Sequence, residues 1–185
     1  MSNAENLIIE INEVNDLGVI DLRLLPDNVE AMKAVTKALG FELPTTPRTS
    51  ATKAGITALW FSVDQWLITM PENKLDAMKA KLEKALKGQF ASVVDVSSLR
   101  SILALKGDKL REVLAKSSST NLFTDDYQAG FVRRIAVAEQ GAALHVIETK
   151  PDVVHLYIFR SYTQYVRQWL NEAAHEDRAL AVDLV

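Results

Sequence analysis

The three histidines of this 185-residue chain are the first side chains that could bind a metal or transfer a proton. His145 and His155 fall in neighbouring predicted strands, where they would face each other across a hairpin, and His175 lies near the end of the last predicted helix. A zinc site needs three or four converging ligands, usually at a tight local spacing. Because the sequence has no His-x-His or His-x-x-x-His pattern and no cysteine, it predicts ordinary strand histidines rather than a metal site.

Asp95 is the candidate for general-base chemistry. It lies in the apolar run 93–96 (VVDV), which predicts partial burial. A buried carboxylate can acquire the raised pKa that a catalytic base requires. A hydrogen bond to Ser97 or Ser98 would instead give Asp95 a structural role, and this is the interpretation that we favour.

Arg100 and Arg160 lie at the ends of predicted strands. Arginines in such places tend to be paired or interfacial, because the planar guanidinium suits carboxylates. Ser161, three residues before Gln164, has the spacing of a helix cap. We therefore take Arg100, Arg160 and Ser161 as candidate structural polar residues.

The sequence lacks the motifs that are typical of nucleophilic catalysis and of phosphate binding. The serine run 117–119 follows Lys116 without a Gly-x-Ser-x-Gly turn, so it predicts a polar loop. The adjacent Asp125 and Asp126 are typical of turns. No two of the seven glycines lie within ten residues of each other, which excludes the dinucleotide fingerprint and the P-loop. The chain is therefore predicted to hold no cofactor by itself.

The elements that would position these residues fall into two similar halves. In the first half, the hydrophobic pattern predicts strands at 17–25, 57–62, 65–70 and 91–96. Asp27 is predicted to cap a helix that ends at Gly40, and Asn73 to cap a second helix. The buried faces of these helices are predicted to comprise Met32, Val35, Leu39, Leu75, Met78, Leu82 and Leu86.

The second half repeats this order. Strands are predicted at 99–106, 131–138, 142–148 and 153–159, with Gly107 and Asp108 as the turn and cap of a helix after the first of them. The two helices are predicted to bury Leu110, Val113, Leu114, Val166, Trp169, Leu170 and Ala173. The pattern predicts an α+β protein with mostly antiparallel sheets, built as one compact domain of two halves, about 7–97 and 98–175, plus a short tail.

Two long segments, 43–56 and 116–130, contain no predicted element. Structureless loops longer than about 12 residues in a compact domain are usually functional, docked on a partner or mobile. The prolines of segment 43–56 limit the entropy lost on docking, and its cations can bind a partner's carboxylates. Its candidate interface residues are Pro44, Pro47, Arg48 and Lys53. The alternative is a surface loop without a ligand.

Composition narrows the class of protein. A formal net charge of −3 gives no general attraction to nucleic acid. No stretch approaches the roughly 18 apolar residues of a membrane span. The first 14 residues lack the basic leader of a secretory signal. We therefore expect a cytoplasmic protein that binds neither nucleic acid nor membranes.

Three segments together are similar to one known family. They are Leu43–Pro47 with the run 58–68 (ALWFSVDQWLI), Val94–Ser97 with Arg100 and Leu105–Asp108, and Leu156–Tyr162 with Trp169-Leu170. In order and spacing, over about residues 7–175, they resemble the gamma subunit of bacterial heterotetrameric sarcosine oxidase. The segment 116–122 (KSSSTNL) departs from the family's Lys-Gly-Cys-Pro-Leu-Asp-Leu, and the tail 176–185 has no counterpart.

The resemblance implies a fold related to the folate-binding domain of the glycine-cleavage aminomethyltransferase. It also implies a subunit without an active site, in a complex that demethylates sarcosine oxidatively with tetrahydrofolate as the one-carbon acceptor. FAD, FMN, NAD and tetrahydrofolate are then expected on partner subunits. The chain would stabilise the folate-binding part of the alpha subunit, with the beta and delta subunits as further candidate partners, and an isolated chain would self-associate to cover its docking face.

Two other functions remain open. One is a stand-alone folate- or one-carbon-binding protein, and the other is an aminomethyltransferase-like enzyme with Asp95 as the base. A pterin pocket would need stacking aromatics and a carboxylate. Aromatic residues make up only 7% of the chain, and its three tryptophans occupy core-like positions, so the sequence disfavours both.

Overall fold

The computed structural model describes residues 7–176, so residues 1–6 and all but the first residue of the predicted tail 176–185 lie outside the described range. In chain order the elements are β1 (Glu10–Val14), β2 (Leu17–Leu24), α1 (Val29–Leu39), β3 (Ser50–Lys53), β4 (Ile56–Ser62), β5 (Gln65–Pro71), α2 (Leu75–Ala85), β6 (Ala91–Asp95), β7 (Arg100–Lys106), α3 (Leu110–Ala115), β8 (Val132–Val137), β9 (Gln140–Thr149), β10 (Asp152–Phe159) and α4 (Thr163–Ala173). Short 3-10 helices at Glu72–Lys74 and Arg160–Tyr162 precede α2 and α4.

These elements form two compact units. The first unit is Asn15–Arg100, and the second comprises residues 7–14 and 101–176. Each unit has one five-stranded sheet, in the order β3-β4-β5-β2-β6 in the first and β8-β9-β10-β7-β1 in the second. The two orders correspond position by position. Each begins with a three-stranded meander (β3-β4-β5 or β8-β9-β10), continues with the first long strand of the unit (β2 or β7) and ends with a short edge strand (β6 or β1). The mixed α+β class, the antiparallel pairing and the repeated order are confirmed.

The core of the first unit lies between its sheet and helices α1 and α2. Ile20, Leu22 and Leu24 alternate along β2, so they share one face of the sheet. In α1, Val35 and Leu39 are buried at the i,i+4 spacing of an amphipathic helix. Burying one such side chain contributes about 1.5–3 kcal/mol, so these positions hold the helix against the sheet. Met32 and Met78, predicted to be buried, are only half-buried at the margin of this core.

The second unit repeats this arrangement with a separate core. Leu103 and Leu105 of β7 pack with Leu144, Leu156 and the buried faces of α3 and α4. All predicted members of those faces are buried except Trp169, which packs at the edge of the cluster. Segment 116–130 has no regular secondary structure, yet it sends Leu122 and Tyr127 into this core.

Helix starts differ from the sequence prediction. The α1 cap is Asn28, whose side chain accepts a hydrogen bond from the N–H of Ala31, rather than Asp27. Asn73 and Ser161 do not cap α2 and α4, because each lies inside the 3-10 helix that precedes the α-helix. The α3 cap falls at Lys109 rather than at Gly107 or Asp108.

Close backbone packing explains one glycine in the first unit. A Cβ atom at Gly18 of β2 would lie 2.9 Å from the Cβ of Leu75, the first residue of α2. That is below the contact distance of two carbon atoms, so only glycine lets the helix start pack directly on the strand.

Two strands fall outside the predicted elements. These are β1, which pairs with β7, and β3, which occupies part of the predicted loop 43–56. Residues 10–14, assigned by sequence to the first half, thus belong to the sheet of the second unit. No helix within residues 7–176 has the combined length and hydrophobicity of a membrane span.

Candidate functional site

Segment 43–56 begins on the core of the first unit. Leu43 is buried, and the carbonyl of Pro44 accepts a hydrogen bond from the indole N–H of Trp66 at 2.7 Å. Trp66 is itself fully buried in β5. The base of the segment is therefore fixed by one buried apolar side chain and one hydrogen bond from the buried Trp66, and Pro44 contributes to this anchor through its backbone.

The tip of the segment is an exposed turn. Pro47 and Arg48 are both exposed, and the Thr49 hydroxyl closes the turn by donating to the carbonyl of Thr46 at 2.7 Å. Arg48 has φ 65°, in the left-handed region that non-glycine residues rarely adopt. The turn thus places an exposed proline and an exposed arginine on a strained, defined backbone.

The rest of the segment is an ordered edge strand, so the prediction of a structureless loop is wrong here. Strand β3 pairs with β4 through a two-residue turn in which Ala54 and Gly55 both have positive φ, the geometry of a tight hairpin. The Lys53 ammonium donates to the carbonyl of Gly40 at 2.9 Å and so binds the C-terminal end of α1. Lys53 is exposed but already has an intramolecular partner.

Asp95 lies at the end of β6 and is exposed, so the prediction of partial burial is wrong. The predicted hydrogen bond to Ser97 is present, with the Ser97 hydroxyl at 2.6 Å and its N–H at 2.9 Å from the carboxylate. The same hydroxyl accepts from the N–H of Val19 at 2.9 Å. These hydrogen bonds hold the pKa of Asp95 below its ordinary value. A lowered pKa makes a weaker base, so the geometry favours a structural link from β6 to β2.

The other candidate polar residues also make structural contacts. The guanidinium of Arg100 lies over the ring of Phe61, 5.3 Å from its centroid, which is a cation–π geometry. Arg160 and Ser161 are exposed in the 3-10 helix before α4. The Thr163 hydroxyl donates to the carbonyl of Arg160 at 2.9 Å. This contact uses the backbone carbonyl of Arg160.

His145 and His155 are direct cross-strand neighbours, as the sequence predicts. Burial lowers the pKa of His145 to about 4, with a smaller contribution from His155, and burial also lowers the pKa of His155. The pair is therefore neutral at physiological pH. Among residues 7–176 no group of three or more His, Cys, Asp or Glu side chains is arranged to hold a metal ion.

Ser117 and Ser118 of segment 116–130 bind backbone N–H groups. The Ser117 hydroxyl accepts from the N–H of Ala138 at 3.1 Å, and the Ser118 hydroxyl from that of Thr120 at 3.3 Å. The Lys116 ammonium donates to the carbonyl of Ala173. Each polar side chain thus closes a local turn or joins two elements, and the arrangement does not present an activated nucleophile.

A cluster around Arg111 is absent from the sequence-based candidates. Arg111 of α3 donates to the carboxylate of Asp152 at 2.8 Å, and its guanidinium lies 4.8 Å from the ring centroid of Tyr127 and 5.1 Å from that of Phe123. Asp152 is almost fully buried, and this burial raises its pKa despite the opposing effect of Arg111. The cluster ties segment 116–130 to β10.

Comparison with known proteins agrees with this geometry. The model of the sarcosine oxidase, gamma subunit family matches residues 27–176. A sarcosine oxidase subunit gamma from Corynebacterium sp. strain U-96 is 26% identical over 175 residues, covering 94% of this chain and 83% of the relative. The sarcosine oxidase subunit gamma of an Arthrobacter species is 30% identical over 146 residues, covering 77% of this chain and 69% of the relative.

Solved structures lead to the same family. A chain of heterotetrameric sarcosine oxidase from Corynebacterium sp. U-96 superposes with a TM-score of 0.85 and 25% identity, over 98% of this chain and 93% of that one. The glycine cleavage system aminomethyltransferase T of Bartonella henselae shares the fold with a TM-score of 0.63 and 16% identity, over 89% of this chain and 46% of that one. The chain therefore belongs to the sarcosine oxidase gamma subunit family.

Proposed function

We propose that this chain is a non-catalytic subunit of a sarcosine oxidase-type complex, which demethylates sarcosine oxidatively and passes the one-carbon unit to tetrahydrofolate. The observation that carries the proposal is the structural similarity to a chain of heterotetrameric sarcosine oxidase, which covers 98% of this chain. A match over nearly the whole length of both chains supports a shared role as a subunit, because the whole fold, and not one part of it, then corresponds.

The polar contacts within the chain support a role in assembly. Asp95, Arg100, Ser117 and Ser118 are each engaged in structural contacts within the chain. A catalytic base is expected to have a raised pKa, whereas that of Asp95 is lowered. As the family resemblance implies, we propose that FAD, FMN, NAD and tetrahydrofolate bind to the partner subunits, chiefly alpha and beta, with delta as a further partner.

Segment 43–56 is the proposed contact with the folate-binding part of the alpha subunit. Its base is anchored by Leu43 and Trp66, so the turn at Pro47 and Arg48 loses little conformational entropy on docking. The Arg48 guanidinium can bind a partner carboxylate through two parallel hydrogen bonds. A specific interface of this kind buries about 1,200 Å² or more in total.

Co-expression with the alpha subunit tests the proposal. Wild-type chain is expected to co-elute with alpha in size-exclusion chromatography, and Arg48→Glu to weaken the complex by about tenfold or more, because like charges then face each other. Arg167→Glu is the matched control, since Arg167 is an exposed arginine on α4 of the other unit. Failure of the wild-type chain to bind alpha, beta or delta would refute the proposed function.

The alternative function is a stand-alone folate-binding protein. The fold shared with aminomethyltransferase T supports it, but at 16% identity this likeness concerns the fold alone. Titration calorimetry of the isolated chain with tetrahydrofolate separates the two functions. We expect no saturable heat in the micromolar range, and a one-site isotherm would favour the alternative.

A further inference from the structure

One end of the first unit exposes an unusual set of large apolar side chains. Phe90 is 85% exposed and Val63 is 70% exposed, with Val29 and Leu25 exposed by about half. We name these four residues the Phe90 patch. Leu25 and Phe90 line one cavity of about 400 Å³, together with Arg23, Leu24 and Asp64. Val63 precedes Asp64 in the chain, and Val29 begins the helix that Asn28 caps. Large apolar side chains exposed on adjoining segments are typical of protein-interaction sites.

The backbone before Phe90 is fixed by the turn 86–89. Gly88, in the turn that follows α2, has the left-handed conformation with φ 83°, and the N–H of Gln89 donates to the carbonyl of Leu86 at 3.0 Å. The Gln89 side chain accepts from the amide of Asn28 at 2.9 Å, which ties the turn to the start of α1. The aromatic ring is therefore presented by a backbone with defined conformation, which lowers the entropic cost of binding.

The shape of this surface favours a macromolecule over a small ligand. Small-molecule sites enclose most of their ligand and have converging polar groups. Here the largest side chain protrudes into solvent, and the cavity lies beside it. A protruding aromatic next to an apolar depression is instead typical of a hot spot at a protein interface, where aromatic residues are enriched.

The charge around the patch specifies its occupant. The chain segments that contain the patch and the cavity lining, 21–30, 62–65 and 87–92, have four acidic residues and two basic ones. The acidic residues are Asp21, Asp27, Glu30 and Asp64, and the basic residues are Arg23 and Lys87. Arg23 is 3.7 Å from both Asp21 and Asp64, so much of its charge is already balanced. The Ser62 hydroxyl donates to Asp64 at 2.6 Å, and this hydrogen bond holds the pKa of Asp64 below its ordinary value.

We infer that the Phe90 patch docks a segment of another subunit of the complex, one with a large apolar side chain flanked by lysine or arginine. The inference rests on the proposed function, since the occupant is a partner subunit. The apolar side chain enters the cavity beside Phe90, and the flanking cation lies near Asp64. The patch is a second contact, separate from the turn at Pro47 and Arg48.

The test measures the affinity of purified chain for the complex of alpha, beta and delta subunits. Phe90→Glu should weaken binding by about tenfold or more, as at an interface hot spot, and Phe90→Leu should retain most of it. Tyr165→Glu, at an aromatic residue 50% exposed on α4, is the matched control and should change affinity less than twofold. Thermal unfolding verifies that each variant is folded. We expect the Phe90 variants to fold normally, because Phe90 is exposed.

The charge of the occupant is tested separately. Asp64→Asn should weaken binding by about two- to fivefold at low salt and by less at high salt, whereas Arg23→Gln should not weaken it. The opposite order of these two variants would identify an acidic occupant and overturn the inference.

The remaining outcomes distinguish failure of the proposed function from failure of the inference. If the wild-type chain does not bind the other subunits, the proposed function and the inference both fail. If it binds and Phe90→Glu binds equally well, or if Tyr165→Glu weakens binding as much, only the inference fails. Light scattering of the isolated chain covers the last case: if Phe90→Glu abolishes self-association and leaves subunit binding unchanged, the occupant is a second copy and the inference is overturned.

Discussion

Arg111 joins a buried carboxylate to two aromatic rings of a segment that has no regular secondary structure. Its guanidinium is about one-third exposed, whereas the Asp152 side chain is only 2% exposed. The two partners therefore depend on the pair unequally. Without Asp152, Arg111 can still be hydrated, but without Arg111 the buried carboxylate has lost its compensating charge.

This asymmetry predicts the effect of removing each partner. Arg111→Gln should lower the free energy of unfolding by about 2–4 kcal/mol, because it leaves an uncompensated buried carboxylate. Asp152→Asn should cost at most about 1 kcal/mol, because burial raises the pKa of Asp152 and a neutral amide avoids that penalty. Urea unfolding of both variants and of the double variant measures the difference. Equal costs for the two single variants would contradict this account.

His145 makes stability depend on pH. Burial lowers its pKa from 6.5 in the unfolded chain to about 4 in the folded protein, so the unfolded state binds the proton more tightly. Stability should therefore fall as the pH drops from about 6.5 to about 4, by up to about 3 kcal/mol from this residue. Thermal melts of wild type and His145→Gln across this range test the prediction. The variant should have a flatter profile than wild type, and an equally steep profile would contradict this account.

Single residues were predictable where their contacts are local. The bond from Ser97 to Asp95 spans two positions, and the spacing of the residues already indicates it. The bond from Arg111 to Asp152 spans 41 positions, and a single sequence contains no signal for it. The burial of Asp95 was wrongly predicted because β6 is an edge strand, where apolar neighbours do not imply a buried site.

At the scale of elements, the helices, the central strands and the edge strands β6 and β8 follow from the hydrophobic pattern, whereas the edge strands β1 and β3 do not. Strand β3 is Ser-Ala-Thr-Lys and β1 is Glu-Ile-Asn-Glu-Val, so neither has the apolar alternation of a half-buried strand. Both are recognisable only through their partners, and β1 pairs with a strand about 90 residues away. Polar edge strands are expected, since they discourage pairing with other molecules.

Gly18 supplies a test of how α2 is positioned. Gly18→Ala places a methyl group 2.9 Å from the Cβ of Leu75, which forces α2 and β2 apart. The variant should be less stable by about 1–3 kcal/mol, as for overpacked cores. Gly141→Ala is the matched control, because Gly141 also lies in a strand and a Cβ there meets nothing within 4 Å. Equal stability of the Gly18 variant and wild type in urea unfolding would refute the tight contact.

At the scale of the whole molecule, the repeated sheet order explains why the two edge strands β6 and β1 occupy corresponding places. Each pairs antiparallel with the first long strand of its unit, β2 or β7. In the first unit the edge strand follows α2 along the chain, whereas in the second unit it comes from the start of the chain. The second sheet is thus completed only by residues that precede the first unit in sequence, a connection that the repeat alone does not predict.

The proposed role in assembly predicts how the chain affects its partner. A protein that binds only the folded alpha subunit stabilises it by mass action, by about 2.7 kcal/mol when the free chain is present at 100 times its dissociation constant. The midpoint temperature of alpha, followed through its own unfolding transition, should therefore rise as this chain is added, and the rise should grow with concentration.

Arg48→Glu and Phe90→Glu should each reduce this rise at equal concentration, and the double variant should reduce it further, because the two contacts lie on different segments. A shift that both variants preserve would mean that the chain stabilises alpha through another surface, and no shift with wild-type chain would mean that it does not stabilise alpha.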